Sequence, residues 1–195
     1  MTKQQLSELF QQHRQRLQRT VEARMDRRLY GRVASEDVLQ EAYIDAEKRL
    51  GNMDPDKFSP FIWLRLVVGQ TLFSIHRRHL LSQKRDAGRE RSQSRQQDSV
   101  SGTQLAFQIA ASHTSPSEAV MRVEQVNLLA ESLDSLSETD REVLSLRHFE
   151  DLTNAEVAEL LGIKPKNASI RYMRALKRLR SCLEDNSDFQ MTGFQ

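Results

Sequence analysis

The feature that most constrains the fold is a series of helix start and stop signals in the C-terminal third of the chain. Thr153 and Glu156 have the S/T-x-x-E spacing of a capping box, Gly162 ends a short helix-forming stretch, and Pro165 suits the first turn of the next helix. A short helix, a turn that contains glycine and a longer basic helix are typical of a helix-turn-helix. This pattern therefore predicts a helix-turn-helix between residues 153 and 180.

A further capping signal, Ser137 followed by Asp140, predicts another helix just before this motif. Apolar residues at helical spacing predict which sides of the helix-turn-helix pack inward. These residues are Ala155, Val157, Ala158, Leu160, Leu161, Ile163, Ile170 and Met173.

The rest of the chain also favours helices. Strand signals are weak, because the 195 residues include seven Gly and four Pro and few runs in which β-branched and polar residues alternate. Only 38% of the residues are hydrophobic, which fits small modules with wide polar surfaces better than one large core. We therefore predict an all-α fold of two small helical domains joined by a flexible linker. The C-terminal domain is expected to be a winged-helix-like helix-turn-helix without a wing.

The predicted linker comprises residues 82–117, which are rich in Ser, Gln and Arg and can bury little apolar surface. It separates an N-terminal domain, 1–81, from a C-terminal domain, 118–187, and 188–195 form a tail. A small apolar island at 105–109 inside the linker is either a docking segment or a chance cluster, and the pattern alone favours neither.

The clearest N-terminal helix begins near Ser35 and ends near Gly51. Ser35 is the expected cap, and Gly51 is the expected left-handed residue after the helix. The other side of this helix is acidic, which fits either a solvated face or a docking surface for a basic partner. The predicted buried face consists of Leu39, Ala42, Tyr43, Ala46 and Leu50.

The net charge of +2 conceals a segregated pattern. Residues 118–163 carry 3 basic and 11 acidic groups, whereas 164–180 carry 7 basic groups and no acidic one. Such a run of basic residues can simply be solvated. The repulsion among its positive charges nevertheless favours a nearby anion, and the guanidinium group of Arg fits phosphate oxygens and guanine edges. The candidate DNA-contacting residues on the third helix are Lys164, Lys166, Asn167, Ser169, Arg171 and Arg174.

Three motifs in order carry a resemblance to the extracytoplasmic-function group of sigma-70 factors of RNA polymerase. The core-binding helix of these factors resembles SEDVLQEAYIDAEKRL, and their promoter-melting helix resembles WLRLVVGQTLFSIHRRHL. Their promoter-reading domain resembles LDSLSETDREVLSLRHFEDLTNAEVAELLGIKPKNASIRYMRALKRLR.

The resemblance implies a role for each motif. Asp37, Gln40 and Glu41 would dock on the beta-prime coiled coil of the polymerase core. The helix from 165 to 174 would read the minus-35 element of promoter DNA, and an anti-sigma factor is a candidate partner. The melting helix would act on the minus-10 element through Trp63, Gln70, Arg77 and Arg78, although Trp63 taken alone is also a core candidate.

The chain departs from the family pattern at two places. Gly69, Gln70 and Ser74 stand where other residues are common in the melting helix, and 164–166 reads Lys-Pro-Lys where a capping Ser is common. Because Lys adds charge but cannot cap, we expect altered sequence preference with DNA binding retained.

Two other functions compete with this one. A stand-alone helix-turn-helix transcriptional regulator would also need a basic recognition helix. A metal-dependent enzyme could use His76 and His79, which are three residues apart, but no further ligand follows at a useful spacing. We therefore expect no catalytic residue, no metal and no cofactor. Cys182 is the one cysteine, and no apolar run would span a membrane, so the expected location is the cytoplasm.

Overall fold

The fold is helical, which confirms the all-α prediction. The computed structural model describes residues 1–84, 101–103, 105–106 and 119–185, and no strand occurs among them. Within these ranges no helix is long and apolar enough to cross a membrane. The helices are α1 (Lys3–Arg24), α2 (Ser35–Arg49), α3 (Pro60–Lys84), α4 (Ala119–Ser135), α5 (Glu138–Leu144), α6 (Asn154–Leu161) and α7 (Pro165–Asp185).

The first three helices pack around a shared apolar core. A reciprocal capping box starts α1, in which the Thr2 hydroxyl accepts from the Gln5 N–H at 3.2 Å and the Gln5 side chain accepts from the Thr2 N–H at 2.8 Å. Pro60 opens α3, where its missing N–H costs nothing because the first turn has no partner for it. The buried residues include Leu6, Phe10, Leu17, Val21, Leu39, Ala42, Ile62, Leu64, Val68 and Leu72.

Helix α2 begins and ends close to the predicted positions and buries largely the expected face, but the capping roles predicted for Ser35 and Gly51 are wrong. Ser35 is the first helical residue rather than the cap; the cap is Ala34, which makes no side-chain bond. Gly51 is not left-handed, because the chain continues from α2 into a 3₁₀ turn, Leu50–Asn52. Leu39, Ala42 and Ala46 are buried, and Tyr43 and Leu50 are half-buried.

The C-terminal start and stop signals are confirmed. Ser137 accepts from the Asp140 N–H at 3.2 Å at the start of α5. The Thr153 hydroxyl accepts from the Glu156 N–H at 3.2 Å, and Glu156 accepts from the Thr153 N–H at 2.8 Å. Gly162 adopts the left-handed conformation, with φ of 62°, and lets the chain turn into α7. The helix that begins after Ser137 is α-helical to Leu144 and continues as a π turn, Ser145–Phe149.

Part of the predicted inward face of the helix-turn-helix is wrong. Val157 and Ala158 are buried, but Ala155 is exposed. On α7 the buried positions are Ala168 and Ala175, whereas Ile170 is 38% exposed and Met173 is 60% exposed.

The described part of the apolar island is docked. Leu105 and Ala106 are fully buried against Leu133 of α4 and Ala175 of α7. Gly102 lies so close to α4 that an added Cβ would be 2.7 Å from the Ala130 carbonyl oxygen. The docking alternative is therefore correct for 105–106, and 107–109 lie outside the described residues.

The two groups of helices touch one another. Leu146, Leu152 and Val157 belong to the same buried cluster as the residues of α1, α2 and α3. The helix-turn-helix is therefore held against the N-terminal helices by apolar contact, and not only by the chain that connects them.

Candidate nucleic-acid interface

The basic helix α7 presents most of the predicted DNA-contacting residues to solvent. Its first turns are held by the Lys164 carbonyl oxygen, which accepts from the Asn167 N–H at 2.8 Å and the Ala168 N–H at 3.1 Å. Ala168 and Ala175 anchor the inner side of the helix. The exposed candidates are Lys164, Lys166, Asn167, Arg171 and Arg174, and Ser169 is half-buried.

The seven cations of this segment divide into two groups. Arg178 pairs with Asp140 of α5, and Arg180 pairs with Glu184 on its own helix at 2.7 Å. Among the described residues, no carboxylate forms an ion pair with Lys166, Arg174 or Lys177. Because the unpaired charges lie nearer the start of α7, an anion is attracted to that half of the helix.

The second set of predicted DNA-contacting residues, on α3, is less uniformly exposed to solvent. Arg77 is exposed, and Gln70 is exposed and accepts from Arg49 at 2.5 Å. Arg78 makes a two-pronged ion pair with Glu41, at 2.5 and 2.7 Å. Trp63 is only 9% exposed and belongs to the apolar core, so its position supports a packing role rather than a DNA contact.

The predicted polymerase-binding surface is a stripe along α2. Asp37 and Gln40 are exposed, and Glu41 is half-buried by its pair with Arg78. Ile44 is 51% exposed on the same side, and the sequence interpretation missed it. The available signal was its spacing of seven residues from Asp37, which places both on one face of a helix.

A cleft of about 930 Å³ lies between part of the helix-turn-helix and part of α3. Gln70 and Phe73 lie on its α3 side, and Arg171 and Leu161 lie on the opposite side. The cleft therefore brings together a residue proposed for each of two DNA elements. In this conformation Arg171 and Gln70 face a shared space rather than two separate surfaces.

A buried carboxylate lies where the two helix groups meet. Glu150 is fully buried at the end of the π turn. It accepts from Arg65 at 2.8 and 2.9 Å, from Arg24 at 2.8 Å and from the Thr20 hydroxyl at 3.0 Å. Arg24 also pairs with Glu142. Complete burial alone would raise the pKa of the Glu150 carboxyl, but the attraction of Arg24 and Arg65 outweighs it and lowers the pKa to about 2.

Further ion pairs surround this buried group. Arg16 binds Glu156 at 2.8 Å, and Arg19 binds Asp151 at 2.9 Å. These contacts join the acidic block predicted between 118 and 163 to the basic side of α1. The acidic block therefore has an internal partner, which its composition alone did not reveal.

The histidine pair considered for a metal does not form a metal site within the described residues. His76 is buried, and its Nε2 accepts from the Asp26 N–H at 3.2 Å. Burial lowers the pKa of His76, which favours the neutral ring that accepts this bond. No cluster of three or more potential metal ligands occurs in the described part of the chain.

Comparisons with known proteins agree with this geometry. The family model for sigma-70 region 4 matches residues 127–179, which contain the helix-turn-helix. The ECF RNA polymerase sigma factor SigK of Mycobacterium ulcerans is 28% identical over 165 residues, 80% of this chain and 80% of that protein. The ECF factor SigW of Bacillus subtilis is 27% identical over 162 residues, 81% of this chain and 80% of that protein.

A solved structure shares the fold. The structure of CnrH in complex with the cytosolic domain of CnrY has a TM-score of 0.51 at 20% identity, and it covers 96% of this chain and 92% of that one. The helix-turn-helix, the matched region and relatives similar over most of their length agree. Residues 127–179 therefore match sigma-70 region 4, and about 80% of the chain is similar to ECF RNA polymerase sigma factors.

Proposed function

We propose that the chain binds RNA polymerase core and directs it to promoters, where it takes part in opening the DNA and initiating transcription. The observation that carries this proposal is the likeness to ECF sigma factors over about 80% of the chain, which includes the N-terminal helices as well as the helix-turn-helix. A stand-alone regulator is not favoured, since a shared helix-turn-helix alone would leave the N-terminal similarity unexplained.

Two domains, 1–81 and 118–187, would carry out the proposed function, and 82–117 would be the linker between them. The exposed stripe of α2 would meet the basic coiled coil of the polymerase, because the exposed carboxylate of Asp37 complements that charge. The exposed polar side of α3 would hold the minus-10 element, and α7 would enter the major groove at the minus-35 element. Each assignment comes from the resemblance to sigma factors and is supported by the exposure and charge of its residues.

We further propose that the protein acts in the cytoplasm as a DNA-binding regulator rather than an enzyme, and that it needs no cofactor. An anti-sigma factor is a proposed partner, since CnrH was solved with the cytosolic domain of CnrY bound. The hydrogen bonds from Arg24 and Arg65 to Glu150 join the N-terminal helices to the C-terminal part of the chain, which supports an arrangement in which the two proposed domains hold each other. A partner that binds both domains would stabilise the same arrangement.

Run-off transcription tests the proposal. The full chain is added to core polymerase with a library of genomic fragments, and the transcripts are mapped. We expect new start sites that appear only when the chain and the core are both present and that share two upstream elements. Binding of the chain to operators as a dimer, with no dependence on core polymerase, would contradict the proposal.

A further inference from the structure

Two large apolar side chains are exposed on the helix that is otherwise the most basic part of the protein. Ile170 is 38% exposed and Met173 is 60% exposed, although both stand at positions whose spacing suggested a buried face. Because these two side chains are large, apolar and adjacent on one helix, we look for a partner that covers them when the protein functions.

Both residues lie on the side of α7 that points away from the core. The inner side is defined by the buried Ala168 and Ala175. Helical geometry places the opposite side at spacings of four, three and four residues along the chain. The residues at those positions are Lys166, Ile170, Met173 and Lys177.

The charges around this apolar pair select the kind of partner that can cover it. Lys166 and Lys177 lie at its two ends, Arg174 lies beside it, and no carboxylate in the described residues forms an ion pair with them. An apolar protein surface would have to bury these cations without a counter-charge, which is costly. A polyanion that also presents apolar groups avoids that cost.

The major groove of DNA is such a surface. Phosphates border it on both sides, and the C5-methyl group of thymine is the apolar group that it presents to a recognition helix. We propose that Ile170 and Met173 contact thymine methyl groups in the minus-35 element and thereby contribute to promoter specificity. This inference rests on the proposed function, because it requires α7 to lie in the groove there.

The test removes the methyl group without changing any hydrogen-bonding atom. Promoters are first selected from a random duplex library by the full chain bound to core polymerase. Each thymine of the selected upstream element is then replaced by deoxyuridine, and the affinity of the complex is measured. We expect at least one replacement to weaken binding about fourfold, the effect of losing one buried methyl-sized group.

Variants identify the residues responsible. Ile170→Ala and Met173→Ala should weaken binding to the thymine promoter by a similar factor and should respond less to deoxyuridine. Leu176→Ala is the matched control, because Leu176 lies on the same helix and is 37% exposed, but belongs to another face and to the later half. It should keep both the affinity and the response to deoxyuridine.

The outcomes separate the inference from the proposed function. Failure to select any promoter with core polymerase would overturn the proposed function and this inference together. Selection of an upstream element without thymine, or equal affinity for thymine and deoxyuridine, would overturn the inference alone. Loss of core binding by Ile170→Ala or Met173→Ala, with DNA affinity unchanged, would assign the pair to a protein contact and also overturn it.

Discussion

At the scale of single residues, the buried carboxylate of Glu150 has the largest expected effect on stability. Glu150→Gln would keep the volume but remove the charge that Arg24 and Arg65 surround. Breaking a buried pair by removing one partner typically costs about 3–5 kcal/mol. We expect a loss of this order in the free energy of unfolding, measured by urea denaturation at neutral pH.

The same residue predicts a pH dependence. The pKa of Glu150 is lowered from 4.5 to about 2 in the folded chain, so its carboxylate stabilises the fold fully above pH 4.5. That contribution is lost as the pH falls towards 2. The wild-type chain should lose more stability over this range than Glu150→Gln, and equal losses would contradict the assignment.

A cation on the free side of α7 provides a third test. Lys166→Ala should weaken DNA binding by the polymerase complex across many promoter sequences and should reduce the slope of log affinity against log salt by about one. Arg14→Ala is the control, since it removes one exposed cation from α1. An unchanged slope for Lys166→Ala would exclude a phosphate contact by this residue.

At the scale of helices and segments, docking of the island onto α4 depends on a glycine. Gly102→Ala places a methyl group 2.7 Å from the Ala130 carbonyl oxygen, so the segment would have to move and expose Leu105. We expect a lower midpoint of thermal unfolding. Gly51→Ala, where an added methyl meets nothing within 4 Å, should leave the midpoint close to that of the wild type.

The stripe on α2 predicts a separate effect on polymerase binding. Asp37→Lys should reduce affinity for the core, because it puts a cation where we propose that a basic coiled coil docks. Asp56→Lys makes the same change in charge at an exposed position in the loop before α3. Equal core affinity for both variants would show that α2 is not the docking helix.

The helices differ in how far the sequence predicts their ends. Thr153, Glu156 and Gly162 act within a few residues of one another, and the structure confirms all three. The capping roles predicted for Ser35 and Gly51 are wrong, because Ser35 is already the first helical residue and the chain continues after α2 into a 3₁₀ turn. A capping signal in the sequence predicts a helix end reliably where no neighbouring residue or turn can end the helix instead.

The faces of the helices are harder to predict than the helices themselves. Helical spacing predicts that both Ile170 and Val157 face inward. Only the helices packed against them decide which of the two is buried, and the structure buries Val157 alone. The candidate DNA residues on α7 are exposed except for the half-buried Ser169, whereas Trp63 lies in the core. The exposure of a side chain depends on contacts between helices that are distant in sequence, and the sequence alone does not specify those contacts.

At the scale of the whole molecule, the N-terminal helices and the helix-turn-helix meet through a charged and apolar interface. Nothing in the sequence marks Glu150 as different from the ten other acidic residues between 118 and 163. Its two arginine partners come from α1 and α3, 126 and 85 residues away. Pairing over such distances is set by the packing of the domains.

If the two ends of the chain bind two promoter elements as proposed, docking of the island also limits the distance between those elements. Leu105 and Ala106 are buried against α4 and α7, so the backbone from residue 84 to residue 101 has to bridge the two groups of helices, and its fully extended length is about 60 Å. If the island were released, the connection would reach residue 119, and its span would roughly double. On the proposed function, the apolar contacts of Leu105 and Ala106 would shorten the backbone available between the two promoter elements, so that a few buried side chains would set the distance it can span.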